Sequence, residues 1–175
     1  MADIVEDPVY DRTYIPPPPF TSPPPPLSKH HIPPYTYSHF PPGSPSRPLP
    51  TIKLAYNFPL VDVPGKSSIG LLVSFPPNAA SPPHRHGGAN VSAYLIKGTV
   101  LNKMNNDPTR IIRQGGAWHE KPGCHHRVSE NYSETEEAVL LAAFVVDTEV
   151  VEKEGYGALV QVDEEYGDLV MEFKA

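Results

Sequence analysis

Residues 82–86 read Pro-Pro-His-Arg-His. On an extended strand successive side chains alternate between faces, so His84 and His86 point one way and Arg85 the other. Two imidazoles on one face of one strand direct two nitrogen lone pairs at the same region of space, which suits a divalent metal ion. One strand cannot wrap an ion, so a third ligand has to come from a neighbouring strand. The sequence offers Gly-Cys-His-His at 123–126, about 40 residues later and just after a Pro-Gly turn. That separation permits a return through two or three strands to an adjacent position.

The elements that position these residues are legible from residue 51 onward. Short apolar runs recur there: 52–56 (IKLAY), 69–75 (IGLLVSF), 91–96 (VSAYLI), 98–104 (GTVLNKM), 109–113 (TRIIR), 139–146 (VLLAAFVV) and 158–162 (ALVQV). They are separated by turn signals such as Pro64-Gly65, Gly87-Gly88, Asn105 to Pro108, Gly115-Gly116 and Pro122-Gly123. Many short β-rich runs with frequent turns imply an all-β sandwich or barrel. The 139–146 run is compatible with a helix by composition. Its Phe-Val-Val end and its place among strands favour a buried strand. No long amphipathic helix and no long-period repeat is visible.

Residues 1–50 have a different texture. They hold 16 of the 24 prolines, including two tetraproline blocks at 16–19 and 23–26. Such blocks favour polyproline II and cannot enter a helix interior or a central strand. The division expected is a proline-rich arm over 1–50 and a β-barrel over 51–175. Tyr10, Tyr14, Phe20, Ile32, Tyr35, Tyr37 and Phe40 interleave with the prolines, more apolar surface than a solvated linker needs. The arm is expected to lie along the barrel or a neighbouring subunit. The other readings are a mobile tail and a docking ligand for a second protein.

The net charge of −6 on 175 residues gives no basic footprint for nucleic acid and no attraction to anionic membranes. A single cysteine, Cys124, leaves no intrachain disulfide and no cysteine-based zinc site. The opening MADIVEDPVY lacks an apolar stretch of the secretory type, and no run approaches a membrane span. A cytoplasmic setting is the expectation.

With both histidine segments in view, the sequence resembles the cupin superfamily, and within it single-domain small cupins like uncharacterised ones of fungi. The family's first motif places two histidines one residue apart, then a glutamate, then a glycine. Here it reads His84-Arg85-His86, then Gly87-Gly88-Ala89-Asn90-Val91, closing at Gly98. The second motif reads Gly115, Lys121 where the family has proline, Pro122 one step later, Gly123 and His126, with Asn131 one residue beyond the family's asparagine. The resemblance covers roughly 51–165. It implies a double-stranded β-helix, or jelly-roll, barrel and one divalent metal ion (Fe, Zn, Mn, Ni or Cu) on His84, His86 and His126. The Gly-x-x-His spacing selects His126 over His125, and adjacent strand residues face opposite sides.

The family's glutamate ligand is missing. Counting forward from His86 its position holds Asn90, and counting back from Gly98 it holds Val91; the extra residue implies a bulge. Asn90 is retained as a candidate fourth ligand through its amide oxygen. Three-histidine cupins resemble thiol dioxygenases and diketone-cleaving oxygenases, which keep positions open for substrate and dioxygen. Glu120 is the candidate catalytic acid or base; in a cavity its pKa is expected to rise by desolvation. Trp118 and Tyr94 are candidates for the lining of an apolar pocket or for plain core, and Cys124 for a buried small residue. His119 is expected to be a partly exposed strand residue, and the acid-rich stretch after Asp147 a solvated face.

The functional expectation is a metal-dependent enzyme acting on a small organic substrate, polyketide-like or from secondary metabolism by the resemblance to fungal cupins. The reaction is either dioxygenation or a Lewis-acid isomerisation, decarboxylation or cyclisation. The alternative is a non-catalytic binding module whose proline arm docks a partner's aromatic groove. By analogy with small cupins the chain is expected to be a homodimer.

Overall fold

The computed structural model describes residues 47–169 and 171–174. The expectations for residues 1–46 of the arm therefore lie outside the described residues. The last four arm residues, 47–50, lie against the barrel. Pro50 is buried, Pro48 accepts a backbone hydrogen bond from Ala80 at 3.0 Å, and Arg47 pairs with the buried Glu130 at 2.7 Å.

Among the described residues, twelve strands and one short α-helix follow. The strands are β1 (Thr51–Pro59), β2 (Lys66–Phe75), β3 (Ala80–Ser81), β4 (His84–Arg85), β5 (Asn90–Lys97), β6 (Thr99–Met104), β7 (Arg110–Arg113), β8 (Ala117–Glu120), β9 (His126–Asn131) and β10 (Ala138–Asp147), then β11 (Gln161–Val162) and β12 (Glu172–Lys174). Helix α1 (Thr148–Glu154) lies between β10 and β11. One sheet has the order β12-β1-β2-β10-β5-β8 and the other β11-β4-β9-β6-β7, with β3 paired to β9. All pairings are antiparallel except β1 with β12. This is the all-β jelly-roll expected.

The alternation of the strands builds the core between the sheets. In β10 residues Ala138, Leu140, Ala142, Phe144 and Val146 face inward and all are buried. The same strand pairs with β2 along its whole length and with β5 over most of it, so the 139–146 run is a central strand. From β2 come Ile69, Leu71 and Phe75, and from β5 come Val91, Ala93 and Leu95. Each such side chain stabilises the fold by about 1.5–3 kcal/mol relative to exposure when it is a Val, Leu, Ile or Phe. The bulge expected between the two motif ends falls late in β5. Its pairing with β10 skips Ile96, since Val139 opposes Lys97 and Leu140 opposes Leu95.

Two expectations change. The 158–162 run supplies only a two-residue strand, because Tyr156–Leu159 form a 3-10 turn before it. The acid-rich stretch is not only a solvated face. Its first part is α1, which rests Val150 and Val151 against the core and exposes Glu149, Glu152 and Glu154. Among the described residues no helix is long and apolar enough to cross a membrane.

Candidate metal centre

The three expected histidines converge inside the barrel. His84 on β4 and His126 on β9 are direct cross-strand partners. His86 lies two residues beyond His84 on the same face. The ring centroids are 4.9 Å apart for His84 and His86, 5.0 Å for His84 and His126, and 6.0 Å for His86 and His126. One ring nitrogen from each lies within 4.8 Å of the others. His84 and His126 are 5% and 4% exposed.

Backbone carbonyls orient two of the rings. Nδ1 of His84 stands 2.7 Å from the Pro82 carbonyl, and Nδ1 of His86 stands 2.8 Å from the Leu159 carbonyl. A carbonyl only accepts, so each Nδ1 carries a hydrogen, which leaves Nε2 as the ring nitrogen available to an ion. Burial pushes the His84 imidazole well below its ordinary pKa, with His126 and His86 adding to the shift. Burial also lowers His126, against the opposing charge of Glu120. Both rings are thus held in the neutral form that ligates metal.

His126 has a partner that the sequence reading missed. The Asn102 amide nitrogen lies 3.2 Å from its Nε2, and Asn102 is 3% exposed. The available signal was a polar residue at an inward position of the apolar run 98–104. The C-terminal segment also contributes more than expected. β11 pairs with the ligand strand β4, Leu159 holds His86, and Asp163 accepts from His125 Nε2 at 2.8 Å. His125 thus faces away from the triad, as adjacent strand residues must.

Asn90 does not join the histidines. It is exposed, and its Oδ1 is hydrogen-bonded to Nε2 of the exposed His119. The alternation of β5 settles the ambiguity in counting. Val91 is the inward residue and lines the cavity, and Asn90 faces out.

Glu120 faces the cavity and is 3% exposed. Its Oε1 accepts from Trp118 Nε1 at 2.8 Å and lies 3.5 Å from His126 Nδ1; its Oε2 lies 2.9 Å from His86 Nε2. The pKa expected to rise is instead lowered. Burial works to raise it, but His126, His86 and the Trp118 hydrogen bond outweigh that effect. Glu120 is therefore a carboxylate. Trp118 lines the cavity, whereas Tyr94 is 50% exposed on the outer face of β5. Cys124 is half-buried outside the cavity, with the Asn105 amide near its sulfur.

The three rings and Glu120 line one cavity inside the barrel. Its walls are chiefly apolar, with Leu71, Phe75, Leu140, Phe144 and Met171 among the lining residues. Among the described residues that line it, none is Lys or Arg. The site fits a metal ion on its own chemistry. Nε2 of His86 and Oε2 of Glu120 are both buried without a hydrogen-bond partner. A buried ring nitrogen and a carboxylate oxygen 2.9 Å apart suit a positive centre beside them, a proton or a metal ion.

The cupin-domain family model matches residues 71–144, the stretch that holds all three histidines and Glu120. No curated protein matches the chain. Solved structures similar to it include a conserved protein with a double-stranded β-helix domain from Klebsiella pneumoniae, at 16% identity over 60% of this chain and 84% of that one, with a TM-score of 0.48. The cupin domain of Cnp3 from Schizosaccharomyces pombe aligns at 19% identity over 61% of this chain and 68% of that one, with a TM-score of 0.44. An oxalate oxidase in complex with the substrate analogue glycolate aligns at 21% identity, 58% and 56% coverage and a TM-score of 0.43, so the chain spans little more than half of that enzyme. The family match and the jelly roll built on the matched strands identify residues 71–144 as a cupin domain.

Proposed function

We propose that the protein is a metal-dependent enzyme that binds one divalent ion on His84, His86 and His126 and acts on a small, mostly apolar organic molecule. The observation that supports this best is the convergence of three buried imidazoles, at least two of them held by backbone carbonyls, on an apolar cavity. When bound, the ion would supply either dioxygen activation or polarisation of a substrate oxygen.

The chain's own residues would do the rest. Phe144 packs edge-on against His86 with centroids 5.6 Å apart and walls the site from water. The aliphatic lining would bind the body of the substrate by burial. With no Lys or Arg on the wall, a substrate carrying a second charge has no partner there, which favours a neutral molecule or one with a single oxygen anion at the ion. The dimer remains a proposal of the same kind, supported by the resemblance to small cupins.

The test is elemental analysis of protein purified without chelators, paired with an oxygen-uptake screen of neutral and anionic small molecules after iron reconstitution. Stoichiometric metal with turnover of an apolar substrate is expected, and substrate-dependent uptake selects dioxygenation over Lewis-acid chemistry. Protein that takes up no divalent ion would overturn the proposal.

A further inference from the structure

We infer that Glu120 is itself a ligand to the metal ion, delivering from β8 the carboxylate that β5 lacks. The inference rests on the three-histidine reading above. Val91, the inward residue where a β5 carboxylate would stand, is directly opposite Glu120 in the β5–β8 pairing. Cross-strand partners share a face, so the two positions reach the same part of the cavity. The carboxylate has moved across one strand and still faces the histidines.

The contacts of the carboxylate agree. Oε1 is engaged by Trp118 Nε1, which fixes the group in the cavity. Oε2 is buried without a hydrogen-bond partner, 2.9 Å from Nε2 of His86, which is buried and unpartnered as well. Nδ1 of His86 faces the Leu159 carbonyl, which leaves Nε2 turned toward Oε2. Neighbouring ligand atoms on an ion with bonds of about 2.0–2.2 Å stand roughly 3 Å apart. The separation of Oε2 and Nε2 is that of two adjacent ligands.

The donor set becomes three imidazoles and one carboxylate. A divalent ion then keeps one net positive charge, and a six-coordinate ion keeps two open positions rather than three. The neutral three-histidine site implied by the motif gap no longer distinguishes this protein from cupins with a carboxylate ligand. Glu120 is also not free to shuttle protons while it holds the ion.

The test combines two measurements on the full chain. Cobalt(II) titrations followed by absorption compare wild type with E120Q, E120A and H126A. The crystal structure of the zinc-loaded wild type gives the distance directly. We expect a Glu120 oxygen at about 2.0–2.2 Å from zinc. We expect E120Q and E120A to shift the cobalt bands and to lose more than the roughly 10–100-fold in affinity typical of an outer-shell partner. Both Glu120 oxygens beyond about 3 Å from zinc, or unchanged bands and affinity in E120Q, would overturn the inference while leaving the histidine site in place. Retention of the ion by H126A, or no uptake by wild type, would overturn the underlying reading and this inference with it.

Discussion

His84 and His126 stand directly opposite each other on β4 and β9, with ring centroids 5.0 Å apart. β4 is only two residues long, and it is held on its other side by β11. The ligand strand is therefore clamped between β9 and a C-terminal segment far from it in sequence. The site depends on that clamp as much as on the histidines.

The clamp gives a glycine a specific role. Gly87 follows His86 with φ of 58°, and a Cβ there would meet the Ala158 carbonyl oxygen at 2.6 Å. That contact is to backbone and cannot rotate away. Gly88 has φ of 78° and open space around a Cβ. G88A is expected to cost only the left-handed strain, about 1–2 kcal/mol. G87A is expected to cost more and to weaken metal binding, because displacing Ala158 loosens the Leu159 carbonyl on His86. Urea unfolding and chelator competition on both variants check this; equal effects in both would refute it.

Asn102 is expected to position His126. N102A should lower metal affinity by about 10–100-fold, the usual cost of removing an outer-shell partner. N102D, whose carboxylate cannot donate to Nε2, should not recover the loss. Competition with a chelator of known affinity reads the result. Unchanged affinity in N102A would show that the ring is held by packing alone.

The distribution of these features explains what the sequence reveals. His84 and His86 are neighbours on one strand, so their shared face follows from period two alone. The strands at 69–75, 91–96 and 139–146 carry enough apolar residues to show their type. Asn90 and Val91 differ by one residue, and one residue on a strand is the difference between outside and inside. Composition cannot choose between them without the register that the β5 pairings fix. Asn102, Leu159 and Asp163 reach the site through pairings between distant segments, and Leu159 does so with its backbone, which no side-chain pattern records. The direction of the Glu120 shift depends on His86, His126 and Trp118, whose proximity exists only after folding.

Acid is expected to destabilise the metal-free protein. His84 and His126 are held neutral in the fold, whereas in the unfolded chain each takes a proton near pH 6.5. Below that pH the unfolded state binds more protons, so their contribution to stability is complete above about 6.5 and is lost as pH falls. Glu120, lowered in the fold, acts in the same direction below its ordinary range. The slope is expected to approach about 1 kcal/mol per pH unit for each histidine. Denaturation midpoints between about pH 8 and 5 should fall in wild type and flatten in an H84Q/H126Q variant. A flat wild-type profile would contradict the buried neutral imidazoles.

Phe144 joins the core to the site. It is 2% exposed and packs edge-on against His86. F144A is expected to destabilise the fold by about 3–5 kcal/mol. F144L, which keeps most of the volume, should cost far less. Calorimetric or denaturant unfolding distinguishes the two, and a cost below about 1 kcal/mol for F144A would mean that the wall collapses without strain.

The convergence of three imidazoles on one ion is tested most directly by equilibrium dialysis against cobalt(II), counting ions per chain. Wild type is expected to hold one ion, and H84A, H86A and H126A each to hold none at the same free concentration. No ion in wild type, or an ion retained in any of the three variants, would contradict it.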